Sequence, residues 1–167
     1  SSGCQVDSNM TKIFKSPMTV DVKDDFVVFI IGMRINKFWK INKWLPVVTA
    51  MPKMLKELYA NPELGFIHHE SWFGRTSIML QYWKSFDHLE AYAQSRDASH
   101  LPAWADFNGK IGHSGDVGIW HETYRIENAN YESIYNNMPR FALGMVGEHI
   151  PVKEKLLSAR GRLETGK

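Results

Sequence analysis

The chain has 167 residues, with 20 Lys and Arg against 18 Asp and Glu, 44% hydrophobic and 13% aromatic residues, and one cysteine. A chain of this length buries roughly 70% of the surface it exposes when unfolded, so a single globular domain can form without disulfides or a structural metal. The lone Cys4 excludes an internal disulfide framework and a CxxC zinc site. A net charge of +2 gives no ground for a nucleic-acid partner. The longest apolar run, residues 26–33, falls well short of the roughly 18 residues of a membrane-crossing helix. The expectation is a cytoplasmic domain with neither nucleic acid nor membrane as partner.

Residues 1–9 (SSGCQVDSN) are polar and patternless and read as an expression scar. Residues 158–167 (SARGRLETGK) read as a flexible polar tail. One domain over residues 10–157 lies between them. The run FVVFIIGMRI at 26–35 is continuously apolar and β-branched, the mark of a buried strand. Apolar residues at three-to-four spacing then give a helix over about 44–60, with Pro46 near its first turn and Pro52 expected to kink it. Asn61-Pro62 stops it. FIHHESWF at 66–73 and TSIMLQYW at 76–83 read as two strands joined by a turn at Gly74-Arg75.

Ser85 is a good N-cap for a helix over 86–94, and Ser99 for a second short one to about residue 110. A loop at 112–115 leads into the last long strand, 116–127, and residues 131–136 read as a short extra strand. The order β-α-β-β-α-β is the ferredoxin-like arrangement, an antiparallel sheet with helices on one face. Its strands are apolar at consecutive positions, so both sheet faces need cover. Pairing two such sheets in a homodimer supplies it.

Alternation along the last strand puts His121 on a face with Ile119 and Thr123, and Glu122 and Tyr124 on the other with Trp120. An imidazole directed into a cavity can take a proton near neutral pH, or be no more than a hydrogen-bonded core histidine. His100 sits at an expected helix start, where it meets a ligand or simply packs the junction. His68 and His69 point to opposite faces and cannot share an ion, whereas His68 and Glu70 could, short of the third ligand a zinc site takes. Lys37, Lys40 and Lys43, interleaved with Phe38, Trp39 and Trp44, read as a loop closing one end of a cavity. No phosphate-binding loop, dinucleotide fingerprint or nucleophile elbow is present.

Several words of the sequence are distinctive: Met33-Arg34-Ile35-Asn36, Tyr82-Trp83-Lys84-Ser85-Phe86, His100-Leu101-Pro102-Ala103-Trp104, Gly118-Ile119-Trp120-His121-Glu122-Thr123-Tyr124, and Tyr135 to Pro139. Together they resemble a family of small proteins named for a polyketide monooxygenase of the fumagillin pathway and formerly a domain of unknown function. The resemblance implies a dimeric α+β barrel, a superfamily holding cofactor-independent monooxygenases and haem enzymes alike. Fold does not choose among them.

The leading expectation is a monooxygenase-like oxidoreductase without cofactor, acting with dioxygen on a hydrophobic, polyketide-like or aromatic small molecule. In it, His121 or His100 removes a proton, and Arg34, Tyr124 and Asn136 hold the developing oxyanion. Trp72, Trp83, Trp104 and Trp120 form the apolar wall. One alternative is a haem b enzyme with His121, His100 or His68 as axial ligand. The other is a non-catalytic dimer that binds a small ligand.

Overall fold

A computed structural model describes residues 12–95 and 112–164, and its chain divides into two compact units. One is Phe26–Arg125; the other is assembled from the two ends of the chain, up to Asp25 and from Ile126.

In the first unit four strands form one sheet in the order β3-β4-β2-β5. They are β2 (Phe26–Ile35), β3 (Phe66–Trp72), β4 (Ile78–Trp83) and β5 (Val117–Ile126). β2 and β3 each run antiparallel to β4. Helix α1 (Ile41–Ala60) joins β2 to β3, and α2 (Phe86–Gln94) follows β4. This is the ferredoxin-like order of strands, and it comes from continuous apolar runs alternating with segments of helical period.

Register decides which residues share a face. Val27, Phe29 and Ile31 of β2 stand opposite Trp83, Gln81 and Met79 of β4. His69 and Ser71 of β3 stand opposite the same Gln81 and Met79. An irregularity between Phe66 and His68 lets Phe66 pair with Trp83 on that face, three residues from His69. Leu58 of α1 and Leu89 and Tyr92 of α2 close over Val27, Phe66 and Trp83 to make the main core. The Trp83 ring meets Phe66 edge-on, centroids 5.3 Å apart.

Two glycines serve this packing. A Cβ at Gly32 would lie 2.0 Å from the Ser77 carbonyl oxygen and 2.6 Å from Nε1 of Trp120, so only glycine lets these groups close on β2. Gly65 has φ +85° and its missing side chain leaves room for the His88 ring. The Ser85 cap forms as the sequence implies, its hydroxyl accepting from His88 N–H at 3.2 Å.

α1 begins three residues earlier than the sequence spacing indicates and includes both Pro46 and Pro52. The β3–β4 connection is longer than a Gly-Arg turn, because Arg75 and Thr76 reach across instead to bond with β2. The short helix expected over 99–110 lies outside the described residues.

In the second unit β1 (Met18–Asp21) pairs antiparallel with β6 (Glu148–Pro151) in a two-stranded sheet that the patterning of the sequence does not reveal. Four-residue strands are too short to reveal a period. The strand expected over 131–136 does not form. Only single bridges join Tyr135 to Met18 and Met138 to Phe14, with Asn137 between them at φ 54°. The polar end expected to be a loose tail holds a short helix, α3 (Ala159–Glu164). Arg162 anchors it: 5% exposed, it donates to Glu132 at 2.8 Å and to the carbonyls of Leu156 and Leu157.

Candidate functional site

The cavity-facing side of the first unit's sheet and the two helices enclose a cavity of about 510 Å³. Its lining is mostly aliphatic, aromatic and methionine: Phe29, Ile31 and Met33 from β2, Met79 and Trp83 from β4, Met51 and Met54 from α1. Continuous apolar patterning in β2 and the α1 stripe bring these groups together, and incomplete filling between them leaves the space. Trp72 and Phe73 line it where β3 ends, and Phe73 is 82% exposed. The polar residues of the lining are Ser71, Ser77, Gln81, Glu90, His121 and Thr123.

His121 projects from β5 on the same face as Ile119 and Thr123, as alternation requires. Its ring lies against Phe29, centroids 5.6 Å apart at 46°. Phe29 in turn stands directly opposite Gln81. A row of side chains therefore crosses the sheet from His69 through Gln81 and Phe29 to His121. His69 itself is turned to α1, where the Tyr59 hydroxyl lies 2.6 Å from its Nδ1. Burial, and secondarily His68, hold the His69 imidazole below its ordinary pKa, while burial raises the Tyr59 hydroxyl.

The structure separates several residues that the sequence grouped. Tyr124 and Trp120 point away from the cavity, as does His68, and none of them lines it. Tyr124 donates to Glu122 Oε2 at 2.7 Å, a bond that raises its hydroxyl pKa. Arg34 is also absent from the lining; its exposed guanidinium donates to Thr76 Oγ1 at 2.9 Å. Strand alternation is the reason: Tyr124 lies on the face of β5 opposite His121, and Arg34 on the face of β2 opposite Met33 and Ile31. Asn136 belongs to the second unit, where it is exposed. Of the four tryptophans, Trp72 and Trp83 line the cavity, Trp120 does not, and Trp104 lies outside the described residues together with His100.

His68 does pair with Glu70, Nε2 to Oε1 at 2.8 Å. Among the described residues no group of three or more His, Cys, Asp or Glu is placed to hold a metal ion. Of the two candidate haem ligands among the described residues, His121 lines the cavity and His68 does not. Lys37, Phe38 and Trp44 do not close the cavity. Lys37 pairs with Asp116 at 2.7 Å, keeping that carboxyl below its usual range, and the Trp44 indole donates to the Phe38 carbonyl. Gln81 and Ser71 went unremarked in the sequence. A polar residue at a strand position that alternation makes cavity-facing was the available signal. No described helix is long and apolar enough to cross a membrane.

Known proteins resemble the chain at two levels. Monooxygenase af470 of Aspergillus fumigatus is 30% identical over 88 residues, which is 49% of this chain and 30% of that protein. The match thus spans less than a third of that relative's length. Among solved structures, the cofactor-independent oxygenase SnoaB of Streptomyces nogalater is 12% identical, with a TM-score of 0.43 over 60% of this chain and 91% of that one. A dimeric protein of ferredoxin-like fold from Bacteroides fragilis is also 12% identical, with a TM-score of 0.44 over 60% and 96%. The family model described as Monooxygenase af470-like matches residues 26–143, a span that includes the whole sheet and the cavity, and the chain belongs to that family.

Proposed function

We propose that the chain is a monooxygenase-like oxidoreductase that acts with dioxygen on a hydrophobic, polyketide-like or aromatic small molecule held in the cavity. The observation that carries this reading is one imidazole, that of His121, among the lining residues of a largely apolar cavity of about 510 Å³. Membership of the Monooxygenase af470-like family supports the reaction class.

His121 takes the proton from an acidic carbon, and the carbanion passes an electron to dioxygen. Recombination gives a hydroperoxide. Loss of water from it leaves a carbonyl: the methylene carbon gives up two hydrogens and gains one oxygen atom. The second oxygen departs with those hydrogens as water, so four electrons move from carbon to dioxygen. An apolar wall favours this chemistry because it leaves the acidic site and the radical pair without competing water. Two copies pair through the sheet faces turned away from the cavity, a reading supported by Val28, Ile30 and Leu80, which alternation places there.

Oxygen consumption with acidic aromatic substrates tests the assignment. His121→Ala should lower turnover by about 10²- to 10⁴-fold while leaving the dimer intact, since the side chain is exposed. Retained turnover would remove His121 from the role. Stoichiometric haem uptake, with a Soret band lost in His121→Ala, would replace the cofactor-free reaction with a haem-dependent one.

A further inference from the structure

We infer that Ser71 and Gln81 form a hydrogen-bond donor pair that anchors an acceptor oxygen, carbonyl or phenolate, of the molecule in the cavity. The inference rests on the cavity being the substrate site, and adds to it what the substrate must carry.

The polar groups of the lining are not equivalent. Ser77 is committed to the backbone: its hydroxyl accepts from Met33 N–H at 3.0 Å and contacts Met33 O at 3.3 Å. Ser71 is not. Its Oγ is buried and has no hydrogen-bond partner among the described residues. Gln81 is 2% exposed, and its orientation is determined, because Trp83 Nε1–H can only donate and does so to Oε1 at 2.9 Å. The amide NH₂ is thereby turned toward Met79, whose sulfur, a weak acceptor, lies 3.2 Å away. Met79 is the residue directly opposite Ser71. Ser71 and Gln81 are therefore diagonal neighbours on adjacent strands, and the Gln81 donor points along β4 toward the row that Ser71 occupies.

Buried donors without good acceptors are costly and uncommon in folded proteins. Two such groups at diagonal positions in the wall of a largely apolar cavity are the complement of one ligand oxygen. A rotation about the single side-chain torsion of Ser71 turns its hydroxyl to meet it. The oxygen would sit on the β3–β4 side of Phe29, and His121 lies on the other side of the same ring. With strands about 4.8 Å apart, Gln81 and His121 are about 10 Å apart across the sheet. The ligand so defined has an apolar, planar body over Phe29, an acceptor oxygen at one end and its acidic carbon toward the other.

A matched pair of probes tests this: 9-fluorenone, which carries a carbonyl, and fluorene, which carries a methylene in the same place. Dissociation constants are measured by tryptophan quenching for the wild-type chain, Ser71→Ala and Gln81→Glu. Gln81→Glu keeps an oxygen for the Trp83 indole while removing the NH₂. The wild type should prefer fluorenone by about five- to tenfold, the worth of one good hydrogen bond. Each substitution should erase most of that preference and leave fluorene affinity within about twofold, which also reports an intact cavity. Equal affinities in the wild type, or a preference that survives both substitutions, would overturn the anchor while leaving the cavity as the substrate site. Failure of the wild type to bind either probe would overturn the cavity assignment itself.

Discussion

The indole N–H of Trp83 donates to the side-chain oxygen of Gln81, two residues earlier on the same strand, at 2.9 Å. Both side chains are almost wholly buried, so this bond satisfies a tryptophan that the core needs for its volume and fixes the amide of a residue on the cavity wall. Gln81→Leu should cost about 1–3 kcal/mol through the unsatisfied indole, measured as a lower urea midpoint. An unchanged midpoint would mean that the indole finds another acceptor.

Gly32 is the tightest point of the sheet. A methyl there would lie 2.0 Å from a backbone oxygen, which cannot swing aside as a side chain can. Gly32→Ala should destabilise the first unit by at least about 1–3 kcal/mol and displace Trp120. Thermal unfolding together with near-ultraviolet circular dichroism would detect both effects, and a wild-type unfolding curve would contradict the packing.

Acid should weaken the second unit through His149. Its ring meets Phe14 edge-on at 4.7 Å, and both its nitrogens are buried without a hydrogen-bond partner among the described residues. Burial first, and the charge of Arg140 second, hold its pKa below the ordinary 6.5. Between that lowered value and 6.5 the unfolded chain binds more protons than the folded one, so stability falls as pH drops below 6.5 and is untouched above it. His69, lowered in the same direction, adds to the loss in the first unit. In His149→Leu the denaturation midpoint should change less between pH 7.5 and pH 5 than in the wild type; identical losses would assign the acid sensitivity elsewhere.

Arg162 ties the end of the chain to its own unit. Arg162→Met keeps the apolar stem but leaves Glu132 and the carbonyls of Leu156 and Leu157 without their donor. The expected cost is about 1–3 kcal/mol. Faster proteolytic cleavage within α3 would accompany it, and wild-type resistance would argue that the helix is held by other contacts.

Local patterning was enough for the sheet of the first unit, its two described helices and the neighbours that share a face of β5 with His121; which of the two faces meets the cavity came from the structure. Those features follow from local rules: apolar period, capping hydroxyls and strand alternation act over a few residues and are written where they operate. The same alternation already separated Tyr124 from His121, and grouping them asked one strand to present both faces to one cavity. The remaining features depend on contacts between distant parts of the chain. β1 and β6 are four residues each and lie more than a hundred residues apart, so neither carries a period and only their pairing makes them strands. The burial of Arg162 likewise depends on Glu132, thirty residues away. Gln81 and Ser71 are ordinary polar residues in the chain; the register of β3 on β4 and the indole of Trp83 make them neighbours with donors to spare.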